Sequence, residues 1–207
     1  MPFGLKNAPA VFQRFICNIF RDLIDARKII VYMDDILVAT SGFKTHLQIV
    51  KEVLTRISIR GLKLKMSKCH FGYQEIEYLS YAVNSQGIRP ILNHIKAIRQ
   101  YPIPNKIREL RSCLGLFSYF RKFIPSYSKV AVPLQMLMRD GVKFEFMQKC
   151  VDAFNELKKQ LSSAPLLSIY NPLHETELHC DASSTGFGAI LMQRQKDGKF
   201  HPIFYFS

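Results

Sequence analysis

The sequence predicts an α+β protein, on three observations. Two apolar, β-branched runs, Ile29-Ile30-Val31 and Ile36-Leu37-Val38, flank Tyr32-Met33-Asp34-Asp35 and read as a hairpin. Long stretches with apolar residues at helical spacing lie on both sides of it. Near the end, Glu177-Leu178-His179-Cys180-Asp181 alternates with period two and is followed by two further apolar runs, the pattern of a sheet.

In chain order, Asn7 stands where a helix N-cap belongs, Pro9 falls in the first turn, and an amphipathic segment runs to about Asp25. After the hairpin, His46, Ile49, Val50, Val53, Leu54 and Ile57 place a helix over 44–59, stopped by Gly61. Residues 62–66 and 75–83 read as strands. From Pro90 the pattern turns helical: Asn93 and Asn105 are candidate N-caps, and Ile107, Leu110, Leu114 and Phe117 form an apolar stripe in a helix reaching Ile124. Pro125 and Pro133 mark a linker or connection over 125–143. Val151, Phe154, Leu157 and Leu161 give a last helix. Strands are expected at 177–181, 187–193 and 200–206, with Gly186 and Gly188 permitting a tight turn.

Hydrophobic residues at 48% and charged residues at 22% argue for a folded chain, and 207 residues allow one large or two small domains. Lys and Arg number 29 against 16 Asp and Glu, which favours a polyanionic partner. Residues 146–207 carry six basic and six acidic side chains, so the whole excess lies in residues 1–145. The same balance fits ribosomal, chromatin or membrane-surface proteins. Five cysteines without close pairs give neither a disulfide framework nor a zinc spacing. Cys69 beside His70 makes too few ligands, and on a strand the two would face opposite ways. No run of about 18 apolar residues occurs and no signal-peptide pattern opens the chain, so a soluble intracellular protein with no membrane partner is expected.

Asp34 and Asp35 at a hairpin tip suit a divalent cation that demands oxygen ligands. Asp-Asp is also simply a good turn pair. Arg108, Arg111, Gly115, Ser118 and Lys122 form a stripe of cations and small residues on which a phosphate backbone could lie closely; a solvated basic face reads the same way. Glu177, His179 and Asp181 share one strand face, which ordinarily means a face turned to solvent.

The run from Met1-Pro2-Phe3-Gly4 through Asn7-Ala8-Pro9 to Phe12-Gln13-Arg14, followed by YMDD, resembles the polymerase of gypsy-type long-terminal-repeat retrotransposons. So do, in family order, Gly61-Leu62-Lys63-Leu64, Ser67-Lys68-Cys69, Glu77-Tyr78-Leu79, Gly87-Ile88-Arg89-Pro90, Glu109-Leu110-Arg111-Ser112 and Phe123-Ile124-Pro125. Asp181-Ala182-Ser183 with Gly186 and Gly188 resembles the opening of the ribonuclease H domain that follows.

The resemblance implies a partial palm over 1–84, a thumb and connection over 85–143, and the N-terminal part of a ribonuclease H-like domain over 144–207. It implies RNA-directed DNA synthesis, in which a primer 3′-hydroxyl attacks the α-phosphate of a dNTP, with Asp34 and Asp35 binding Mg2+ (Mn2+ as substitute). Pro2, Phe3 and Gly4 would line the nucleotide and template pocket, and Tyr32 and Met33 would abut the primer end. Lys68 would reach the triphosphate, and Tyr78, Leu79 and Ser80 would grip the primer. Arg108, Arg111 and Lys122 would meet the backbone of an RNA or DNA primer-template duplex. Asp181 would be the first of four ribonuclease H acids, the other three falling beyond Ser207. A further polymerase aspartate and the fingers would precede Met1, so the chain alone is expected to be inactive. The setting would be a cytoplasmic replication particle or the nucleus. Two alternatives are a nucleic-acid-binding remnant without catalysis and an unstable pseudogene product. Relatives usually carry Gly-His where this chain has Ser80-Tyr81.

Overall fold

The computed structural model describes residues 4–183 and 186–207. The α+β class is borne out. The chain divides into two compact units, Met1–Tyr78 and Leu79–Ser207.

In the first unit, α1 (Ala8–Ile19) and α2 (Arg21–Asp25) replace the single amphipathic segment; they break at Phe20, which is fully buried. Asn7 precedes α1 as expected, with Pro9 at its start, but its side chain makes no capping hydrogen bond. The hairpin β1 (Ile29–Tyr32) and β2 (Asp35–Val38) follows, then α3 (Phe43–Ile59). Ile16, Phe20 and Leu23 pack with Ile29 and with Ile49, Val53 and Ile57 of α3 into one core. Arg56 locks the helices together: its guanidinium donates to both carboxylate oxygens of Asp22 at 2.5 and 2.6 Å, to the Ile19 carbonyl at 2.9 Å, and to Glu52. The strand expected over 62–66 is absent. Leu64 and Met66 are exposed, and Met66–Lys68 forms a 3₁₀ turn. A chain segment without a partner strand has no ladder to satisfy its backbone.

The strand expected over 75–83 is interrupted. Glu75–Tyr78 (β3) ends the first unit, and β4 (Tyr81–Asn84) opens the second after a tight turn at Leu79-Ser80. β4 pairs antiparallel with β5 (Gly87–Pro90), a strand not read from the sequence. Helices α4 (Leu92–Gln100) and α5 (Ile107–Tyr119) start beyond Ile91 and Lys106, so neither Asn93 nor Asn105 is an N-cap. Glu109 instead reaches back to the Asn105 amide at 2.8 Å. α5 ends at Tyr119, and Arg121–Phe123 is a 3₁₀ turn. The expected linker over 125–143 contains a helix, α6 (Tyr127–Met136), with Pro133 inside it. Burial of Tyr127, Ala131 and Leu134 outweighs the hydrogen bond that proline forfeits.

α7 (Gln148–Ser162) packs on α6 and α4, and Leu110, Phe117, Phe120, Phe123, Phe154, Leu157 and Leu161 form the aromatic-rich core. An antiparallel sheet follows in the order β6 (Thr176–Ser183), β7 (Gly186–Arg194), β8 (Phe200–Phe206). The turn expected between β6 and β7 falls outside the described residues. Leu167 ties β5 to this region: the Ile88 amide donates to its carbonyl at 2.7 Å and its own amide to the Ile88 carbonyl at 3.0 Å. Gly87 makes the approach possible, since a Cβ there would lie 2.2 Å from the Leu167 carbonyl oxygen. The Ser168 amide then donates to the Pro202 carbonyl of β8 at 2.9 Å.

Candidate functional site

The register Ile29↔Val38, Ile30↔Leu37, Val31↔Ile36, Tyr32↔Asp35 leaves Met33 and Asp34 as the two loop residues. Met33 has φ 51° while Asp34 does not share that sign. A left-handed first residue is the pattern of a type II′ turn, which glycine normally occupies. A side chain there costs on the order of 1–2 kcal/mol. Gln13, projecting from α1, offsets it: its carboxamide oxygen accepts the Met33 amide at 2.5 Å and its Nε2 donates to the Val31 carbonyl at 3.1 Å. The tip is therefore held by its backbone, and Asp34 and Asp35 are left exposed.

Asp34, Asp35, Lys68 and Tyr78 border one cavity of about 260 Å3, lined also by Leu54 and Ile76. Tyr78 sends its hydroxyl into a buried position without a hydrogen-bond partner among the described residues. Burial pushes its phenol above the ordinary range, and the neighbouring Asp35 and Tyr32 add to this. Lys68 is exposed, as is Gly4; Pro2 and Phe3 lie outside the described residues. Two carboxylates at one tip are hard oxygen donors, the chemistry that Mg2+ selects while retaining much of its water. Among the described residues no group of three or more His, Cys, Asp or Glu side chains converges.

In the second unit, Leu79 and Ser80 have φ 47° and 63°, two consecutive left-handed residues without a glycine. Arg108 and Arg111 are exposed on α5, and Arg111, Gly115 and Ser118 line a groove of about 340 Å3 together with Arg121, Ser128 and Gln135. Lys122 does not continue the stripe. It lies beyond the end of α5 and is half-buried, its Nζ 3.7 Å above the centre of the Tyr81 ring. Burial lowers its pKa. Asp181 is exposed on β6 opposite Gly188 and borders a cavity of about 350 Å3 with His179, Lys129 and Tyr205. His179 is engaged by Glu177 at 2.7 Å. Sequence reasoning missed Gln13 at the Met33 turn and Arg121 in the groove beside Arg111. Gln13 stands within the Phe12-Gln13-Arg14 motif, but only tertiary packing shows what it holds.

The described residues thus place a two-carboxylate hairpin tip on a helix in the first unit, and helices followed by a three-stranded sheet in the second. Residues 1–83 match the reverse transcriptase (RNA-dependent DNA polymerase) family, and residues 146–207 match the RNase H-like domain found in reverse transcriptase. The chain is 38% identical over 208 residues to the retrovirus-related Pol polyprotein from transposon 297 of Drosophila melanogaster, covering all of this chain and 19% of that protein. It is 32% identical over 207 residues to the transposon Tf2-3 polyprotein of Schizosaccharomyces pombe, covering 100% and 16%. It thus spans about a fifth or less of the length of these relatives. In fold it is similar to the foamy viral protease-reverse transcriptase solved in complex with double-stranded DNA, with TM-score 0.86 and 24% identity over 99% of this chain and 35% of that one. The chain belongs to the reverse transcriptase and ribonuclease H-like region of retrotransposon Pol polyproteins.

Proposed function

We propose that this chain is the YMDD-bearing part of an RNA-directed DNA polymerase that adds dNTPs to a primer on an RNA or DNA template. The observation that carries the reading is the pair of exposed carboxylates, Asp34 and Asp35, on a strained turn whose backbone Gln13 holds. Asp34 and Asp35 would hold Mg2+, with Mn2+ as substitute, and the bound ion would stabilise charge on the attacking and leaving oxygens. The other roles belong to the chain's own groups. Tyr32 and Met33 abut the primer end, Gly4 lets the template approach with Pro2 and Phe3, and Lys68 reaches the triphosphate. Tyr78, Leu79 and Ser80 meet the primer terminus. Arg108 and Arg111 neutralise backbone phosphates, and Lys122 supports that surface indirectly.

The division into palm (1–84), thumb and connection (85–143) and ribonuclease H-like segment (144–207) goes with this reading, as does Asp181 as one metal-binding carboxylate of the last. No helix among the described residues is long and apolar enough to cross a membrane. A cytoplasmic replication particle or the nucleus is the proposed setting.

A second reading, nucleic-acid binding without catalysis, is favoured for the chain by itself, because no third carboxylate joins Asp34 and Asp35 among the described residues. Primer extension separates the two. The 207-residue chain should extend no better than its Asp34→Asn, Asp35→Asn variant. Fused behind the preceding segment of the transposon 297 polyprotein it should extend in Mg2+, and the same double substitution should abolish this. A fusion that binds duplex but never extends would leave only the binding reading.

A further inference from the structure

Leu79 and Ser80 pose a physical problem. Two consecutive non-glycine residues sit at positive φ, a conformation that costs on the order of 1 kcal/mol each unless surroundings impose it. Asn-Gly or Gly-Gly would occupy such a turn without strain. Leu and Ser do not, so something must hold them.

The holding contacts come from the end of α5. The Tyr119 hydroxyl donates to the Leu79 carbonyl at 2.6 Å, inside the turn itself. Its ring stacks on Tyr81, the residue after the turn, with centroids 5.5 Å apart and planes 6° from parallel. The Tyr81 hydroxyl returns a bond to the Tyr119 carbonyl at 3.4 Å. Lys122 then lays its ammonium on the Tyr81 ring, and among the described residues it forms no ion pair. Tyr119 is 47% exposed, so burial of the residue as a whole does not account for the bond to Leu79.

We propose that Tyr119 is a positioning residue: its hydroxyl, backed by the Tyr81 stack and the Lys122 cation, holds the strained Leu79-Ser80 turn in the one shape that receives the primer 3′-terminus. The proposal rests on the reading of this turn as a primer contact. The clamp replaces a property that glycine at position 80 would supply through its backbone alone. Losing the hydroxyl should loosen the turn in this chain and matter little once Ser80 is glycine.

The test uses the full chain and a primer-template duplex whose 3′-terminal nucleotide is 4-thiothymidine, with the cross-linked peptide mapped and duplex affinity measured in parallel. In the wild type the cross-link should map to residues 79–81. Tyr119→Phe keeps the stack and removes one hydrogen bond. Cross-link yield should fall about tenfold and amide exchange at Ser80 and Tyr81 should quicken to match, while duplex affinity, set by Arg108 and Arg111, stays within about twofold. Adding Ser80→Gly to Tyr119→Phe should restore the yield, a recovery that a merely structural tyrosine would not show. If Tyr119→Phe loses its cooperative melt, Lys122→Met serves instead, with a fall of about threefold expected. Unchanged yield in both variants, or no recovery with glycine, overturns the clamp. A wild-type cross-link mapping elsewhere, with Ser80 exchange still sensitive to Tyr119→Phe, overturns the primer reading and leaves the clamp standing.

Discussion

Gln13 and Met33 are twenty residues apart, and the carboxamide oxygen of the first lies 2.5 Å from the amide nitrogen of the second. Helix α1 thereby holds the backbone of the aspartate-bearing turn. Gln13→Leu should accelerate amide exchange at Met33 about tenfold, as expected for the removal of one hydrogen bond. Mg2+ titration followed by NMR should show weaker binding at Asp34 and Asp35. Unaltered exchange at Met33 would mean the hairpin alone holds the turn.

Replacing Arg108 and Arg111 by Ala should flatten the dependence of log K on log salt for duplex binding by about 0.9 for each phosphate that is no longer neutralised. Lys122→Ala should behave differently, because its cation already sits on Tyr81. It should reduce stability more than it changes the slope. Fluorescence anisotropy across a salt series, with a thermal melt of each variant, separates the two effects.

The Arg56 guanidinium holds the Asp22 carboxyl down to about 2 from an ordinary 3.8. A depressed carboxyl stabilises the fold above its unfolded pKa, and the gain disappears as pH falls through the folded one. The difference in Tm between wild type and Asp22→Asn should therefore be full at neutral pH and shrink as pH falls from about 4 toward 2. It should stay modest throughout, since Asp22 is 62% exposed. A difference that grows on acidification would assign the carboxylate the opposite role.

Ile30 and Tyr32 share one face of the β1–β2 ribbon and are 54% and 51% exposed. The pattern of the sequence, apolar on both faces, predicts cover on both sides. An uncovered two-stranded ribbon templates intermolecular pairing. Ile30→Thr should lower light scattering on concentration while shifting stability by no more than about 0.5 kcal/mol. Equal aggregation of both proteins would place the sticky surface elsewhere.

Periodicity located α3 and α5 because burial of one face imposes a helical repeat, whereas the strands around Asp34 were legible as β-branched runs and β6 as an alternation, although Leu178 and Cys180, on the face opposite Asp181, are exposed. It failed where tertiary partners decide. The 125–143 stretch reads as a linker because Pro133 is a breaker in isolation, yet its helix buries Ala131 and Leu134 completely. The Leu79-Ser80 turn is hidden inside one apparent strand because Leu79 is no turn former and Ser80 only a weak one. Of the site, the carboxylates were legible as a pattern. Gln13 was not, since a glutamine on a helix looks alike whether it faces water or a backbone amide twenty positions away.

Gly87 has a bearing on how this chain tolerates changes in length. Its missing side chain lets the Leu167 carbonyl come within bonding range of Ile88. Leu167 is then spaced from the end of α7 by a connector only four residues long, 163–166. One residue added or removed there would put the wrong side chain opposite Ile88 and turn Leu167 away from the core. The tip at Asp197-Gly198 is exposed, and its hydrogen bonds among the described residues run within its own hairpin, to Arg194, Gln195, Lys199 and His201. Insertions among descendants of this sequence should therefore collect at that tip and spare the connector.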